Sequence, residues 1–249
     1  MNIRYAAAGG TVAGVTLAEE RDAADLRAYL SRLLRYDARA VVRLRARGAV
    51  LGVFAQPPFG VIALRAVPLA APAGHVASGT VHAASPAGTG PGAPAASTPG
   101  LDVTVPVDAL LDRLVPGREL ELPSAVTGPP WTGLLPPWSG WQRLATAPAE
   151  ALLPAVAAGV AGFRQRSEAI PAADRSAARL ETVAETVWSR PVLAGLPLRA
   201  VHAAHALGFL RPGGEASVYR AGGWLRLDAA YGTVSLRPAS AHPLPLRVV

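Results

Sequence analysis

Arg43, Arg45 and Arg47 alternate with Val42, Leu44 and Ala46. On a strand this spacing puts three guanidinium groups on one face and apolar groups on the other. Such a row can track a phosphate backbone. It is also what the wet face of a one-sided antiparallel sheet looks like. A second group of interest is Pro129-Pro130-Trp131-Thr132-Gly133-Leu134-Leu135, echoed at once by Pro136-Pro137-Trp138-Ser139-Gly140-Trp141. Trp131, Trp138 and Trp141, set among prolines, are candidates for partner contact, because tryptophan is enriched at interaction hot spots. Their alternative use is to plug a core from a stiff connector.

His202 and His205 are three apart on an expected helix and face the same way. Two imidazoles can hold a metal if a third ligand arrives. His242, Asp228 and Glu215 are conceivable donors, but no spacing rule selects one. Leu198 and Phe209 share that face, so the pair reads as packed rather than ligating. No metal and no cofactor is expected.

Other chemistry is missing. Cysteine is absent, which removes disulfides, thiolate metal sites and cysteine nucleophiles. All 24 basic residues are arginine. The glycine-rich run Gly9 to Gly14 therefore has no Walker lysine, and it sits between two strand-like segments. No Gly-x-Ser-x-Gly elbow occurs. No nucleophile, base and orienting group can be named together, so no catalytic residue is assigned.

The net charge is +7. Residues 1–68 hold ten Arg against five acids, and residues 147–249 eleven against seven. The charge is spread over both ends, not gathered in a tail. An arginine-only basicity beside abundant Ala, Gly and Pro reads partly as the mark of a GC-rich genome. No apolar run approaches the roughly 18 residues that span a bilayer. No signal peptide is expected either, and the chain reads as cytoplasmic, with no membrane partner.

The elements follow from periodicity. Asp22 to Tyr36 is a helix with Leu26, Leu30, Leu33 and Leu34 on one stripe. Arg39 to Ala46, Val50 to Ala55 and Val61 to Val67 form a meander, and Asn2 to Ala7 and Thr11 to Leu17 a hairpin through Gly9-Gly10. Residues 69–100 are mostly Ala, Pro, Gly, Ser and Thr, with two histidines and no charge, and predict a flexible loop. Leu101 to Val105 resumes as a strand and Val107 to Leu114 as a helix. From 148 the chain turns helical: 149–166, then a helix capped by Asp174 and ending at Trp188, then one between Pro197 and Gly208. A hairpin over 218–237 closes it. The expected class is α+β. An N-terminal antiparallel sheet with packed helices fills 1–125, a Pro/Trp connector 126–147, and a helical half with a winged-helix-like end 148–249. If that end reads DNA, His202, His205 and Arg199 point at base edges. Arg220, Arg226 and Arg237 then reach phosphates.

Two resemblances follow from particular residues. The order helix, meander, strand and then Val105-Pro106-Val107-Asp108-Ala109-Leu110-Leu111 resembles one repeat unit of a DNA sliding clamp. The segments 136–141, Val187-Trp188-Ser189-Arg190-Pro191, 206–210 and Gly223-Trp224-Leu225-Arg226-Leu227 are similar to a conserved actinobacterial family of unknown function. That likeness implies a lineage and no mechanism. The sequence therefore predicts a non-enzymatic binding or regulatory protein, an adaptor for an unknown protein partner. The alternative is a DNA-binding regulator using Arg43, Arg45, Arg47, Arg199, Arg220, Arg226 and Arg237.

Overall fold

A computed structural model describes residues 14–71 and 101–238. The hairpin expected over residues 2–17 lies outside them for most of its length, as do most of the loop 69–100 and His242. The protein is α+β and divides into two units. The first comprises Met1–Leu34, Ala38–Val53 and Ala66–Pro129, the second Arg35–Asp37, Phe54–Arg65 and Pro130–Val249.

In the first unit, β1 (Gly14–Thr16) leads to α1 (Glu20–Tyr36). Leu26, Leu30 and Leu33 fall at helical spacing and are fully buried, with Tyr29 beside them. β2 (Val41–Arg47) and β3 (Val50–Ala55) follow, joined through Gly48 at φ 56°, a left-handed turn position. Beyond β4 (Ile62–Pro68) come β5 (Asp102–Pro106), α2 (Val107–Arg113) and β6 (Glu119–Glu121). β5 pairs antiparallel with β2, placing Val42 opposite Val105 and Leu44 opposite Val103. Alternation buries Val42 and Leu44 and turns Arg43 and Arg45 to the other face. β1 and β6 form a separate short ladder.

In the second unit, β7 (Gln142–Pro148) precedes α3 (Ala149–Glu168), α4 (Ala177–Trp188) and α5 (Leu198–Ala206). β8 (Glu215–Ala221), β9 (Trp224–Ala229) and β10 (Gly232–Leu236) complete it. The strand order is β4-β10-β9-β8-β7, all antiparallel. One sheet face, with Ala216, Val218, Leu225, Leu227 and Val234, is buried beneath α3 and α5. Ser217, Tyr219, Arg226, Asp228, Thr233 and Ser235 lie on the other.

Three expectations are corrected in detail. The closing hairpin is a three-stranded meander set inside a sheet, because Leu225, Leu227, Val234 and Leu236 need neighbours on both edges. Residues 142–147, expected to belong to the Pro/Trp connector, form with Pro148 the strand β7; its Gln, Arg and Thr suit an edge, and Pro148 ends it. The cap of α4 is Ser176, whose side chain accepts the Arg179 N–H at 3.3 Å, not Asp174.

Candidate docking site

One end of the second unit's sheet gathers the residues of interest. The Pro/Trp segment crosses it. Pro130–Gly133 makes one tight 3-10 turn, with the Leu134 N–H donated to the Trp131 carbonyl at 2.9 Å. Trp141 Nε1 donates to the Pro137 carbonyl at 2.8 Å, closing the loop Pro137 to Trp141 on itself. Gly140 at φ 80° permits that closure. Trp138 meets the buried ring of Phe54 edge-on, with centroids 6.1 Å apart. It nevertheless stays 48% exposed, and Leu134 is 53% exposed. Trp131 and Trp141 are half-buried.

Trp141 is held from the sheet side. The Arg226 guanidinium lies 4.3 Å from the Trp141 ring centre and 4.9 Å from that of Tyr219. Arg226 Nη2 donates to Asp228 Oδ2 at 2.6 Å, and both side chains are largely buried. The register explains the grouping: Arg226 stands opposite Tyr219 on β8, and Tyr219 opposite Arg143 on β7. Burial pushes the Asp228 carboxyl up from its ordinary value, and Arg226 pulls against that shift. Arg220 stands opposite Leu225, and the Arg237 guanidinium lies 5.8 Å from the Trp224 ring.

The seven arginines named from sequence fall into two groups. Arg43, Arg45 and Arg47 belong to the first unit, where Asp102 takes Arg43 at 2.6 Å and Arg45 at 3.0 Å. The bond from Arg43 holds the Asp102 carboxyl below its ordinary value, and the same bond raises Arg43. Arg199, Arg220, Arg226 and Arg237 belong to the second unit, where Arg199 is paired with Glu185. His202 is part of an aromatic column. It stacks on Trp188 at 4.5 Å and 13°, and meets Phe59 edge-on at 5.0 Å. Burial, and then His205, hold its pKa below the ordinary value. His205 is exposed. Among the described residues no three of His, Asp or Glu gather to hold a metal. Nor is any helix long and apolar enough to cross a membrane among those residues.

Sequence reading missed Asp228 as the partner of Arg226, and Tyr219 and Trp224 as parts of the cluster. The i, i+2 spacing of Arg226 and Asp228 puts them on one face of a strand, and was the available signal.

No curated protein sequence matches the chain. Its fold is similar to the crystal structure of a DNA polymerase sliding clamp from Pseudomonas aeruginosa, with a TM-score of 0.45 and 11% identity. That match covers 94% of this chain and 65% of the clamp. The same clamp with ligand gives 0.45 and 12%, covering 94% and 66%. A DnaN sliding clamp from the same organism bound to griselimycin gives 0.43 and 11%, covering 94% and 67%. The chain thus spans about two thirds of the length of these clamps, and likeness at this level carries no function with it. Two family models match in succession, so that residues 10–133 are similar to the domain of unknown function DUF8010 and residues 136–241 to the domain of unknown function DUF8185.

Proposed function

We propose that the protein is a non-enzymatic binding protein, an adaptor that docks a protein partner through its Pro/Trp segment. One observation carries this reading: Trp138 is 48% exposed on a segment that is otherwise stiffened and tied down. A tryptophan offers up to about 250 Å² for burial, so about 120 Å² of ring stays in contact with water. Covering it is worth about 3 kcal/mol at 25 cal/mol per Å². Leu134, 53% exposed four residues earlier, is a second exposed apolar side chain of the same segment. Pro129, Pro130, Pro136 and Pro137 restrict the segment before binding, which lowers the ordering cost a partner must meet. A cysteine-free chain suits the reducing cytoplasm, where we place it.

The DNA reading has less support. Arg43, Arg45, Arg199 and Arg226, four of its seven arginines, already hold carboxylates of this chain. Selection of a random-peptide display library on the wild-type chain tests the docking reading. Enriched peptides are expected to bind at least tenfold more weakly to Leu134→Ser and to Trp138→Ser, with thermal melts confirming that both variants fold. Enrichment of no peptide, or equal binding to a folded variant, would overturn it.

A further inference from the structure

We infer that the partner docked at this segment is acidic: a protein segment carrying carboxylates beside an apolar anchor. The inference rests on the docking reading above and adds the chemistry of the occupant. Four stretches of chain meet at this end of the sheet, namely residues 54–62, 130–143, 219–226 and 234–238. Together they hold Arg143, Arg220, Arg226 and Arg237 and not one acidic residue. The neighbouring carboxylate, Asp228, is already engaged by Arg226. Arg143, Arg220 and Arg237 are exposed and form no ion pair among the described residues. The end of the sheet that presents Trp138 and Leu134 therefore carries three uncompensated positive charges.

Their placement fits an extended chain. Arg143, Arg220 and Arg237 sit at the ends of β7, β8 and β10, which span three strand spacings. At about 4.8 Å each these make about 14 Å, the length of roughly four residues of extended peptide. Carboxylates spread over such a stretch can meet Arg143 and Arg237, which lie on the sheet face of Tyr219 and Arg226, while an apolar side chain covers Trp138; Arg220, opposite Leu225, lies on the other face. A nucleic-acid strand fits less well. Base stacking needs open ring faces. Here the Arg226 guanidinium already lies over the rings of Trp141 and Tyr219. A phosphate backbone would also leave Trp138 and Leu134 wet.

The test uses fluorescence anisotropy on the full chain with three labelled probes. These are a 14-residue peptide of Asp and Glu around a Leu-Trp-Leu centre, the same peptide with Lys for every acid, and a 15-nucleotide oligo-dT. The acidic peptide is expected to bind, and to lose at least tenfold in affinity between about 50 and 500 mM salt, as screening shortens the reach of exposed charges. Arg143→Glu/Arg237→Glu should weaken it at least tenfold. Arg27→Glu/Arg166→Glu changes the net charge equally on the exposed sides of α1 and α3, and should leave binding within twofold. If both peptides bind equally and Leu134→Ser abolishes both, the acidic inference falls and the docking reading stands. Tighter binding of oligo-dT through Arg143 and Arg237 would also overturn it, in favour of nucleic acid. If neither peptide binds the wild-type chain, both proposals fall.

Discussion

Replacing Arg226 by methionine removes a guanidinium and keeps much of the side chain's length. The structure sets the size of the effect. Two ring contacts, to Trp141 and Tyr219, are lost at about 0.5–1 kcal/mol each. Asp228, whose side chain is 28% exposed, loses the charge that compensates it. A largely buried polar group left without its partner costs about 1–3 kcal/mol. Met returns part of the packing against the rings, so a net loss of about 2–4 kcal/mol is expected, or roughly 5–15 °C in Tm for a chain of this size. The pH dependence has a definite sign. Burial already holds the folded-state pKa of Asp228 above its unfolded value, and without Arg226 it rises further. The folded chain then binds more protons than the unfolded chain between the ordinary carboxylate value and the raised one, so stability increases as pH falls through that window. The deficit of Arg226→Met against wild type should therefore shrink between pH 7 and pH 4.5. Asp228→Asn added to Arg226→Met should recover much of it. Urea unfolding followed by tryptophan emission reads both. A deficit below about 0.5 kcal/mol at pH 7, the scatter of ordinary surface changes, would refute the account. So would a deficit unaltered by Asp228→Asn.

Other outcomes follow from single contacts. Gly159→Ala would put a methyl group 2.6 Å from Leu198 Cδ2 and 3.0 Å from Trp188. The helix-propensity gain of about 1 kcal/mol is then outweighed by overpacking of about 1–3 kcal/mol, so Tm should fall; a rise would sink the argument. Ser176→Ala removes the cap of α4 and should cost about 0.5–1 kcal/mol in a denaturant titration. His202 is held below its ordinary pKa in the folded chain, so its contribution is present above pH 6.5 and lost as pH falls below it. His202→Phe should flatten the stability profile between pH 7 and 5, and an unchanged slope would count against burial as the cause. Asp102→Asn should reduce stability by under about 1 kcal/mol near neutral pH, because the ion pair is partly exposed, and should have no effect well below pH 3.

Much of the helical structure was legible because its signals are local. The leucine stripe of α1 and the Pro197 and Gly208 bracket of α5 act within a few residues. The core strands β2, β3 and β4 were readable from their apolar alternation. β7 was not, because an edge strand with Gln142, Arg143 and Thr146 carries little apolar pattern. The site was half legible. The Pro/Trp echo pointed to the segment, and Arg226 was named. Its sandwich was hidden, because the ring of Trp141 comes from 85 positions away, set there by strand register. The Arg43 row gave its alternation but not its charge balance, since Asp102 arrives from β5.

The division of β3 and β4 between the two units has a consequence for synthesis of the chain. Phe54–Arg65 belongs to the second unit, although residues on both sides of it belong to the first. Ala63 is paired with Val234 on β10, about 170 residues later. At 5–20 residues per second the ribosome needs roughly 10–35 s to deliver that partner. During this interval the nascent chain holds an unpaired strand edge at Ile62 to Leu64, of the kind that recruits other chains. A fragment spanning 136–241 would reproduce the same exposure from the other side, leaving β10 without β4 and Trp138 without Phe54. The second unit is thus begun early in translation and can be closed only when the last strand has emerged.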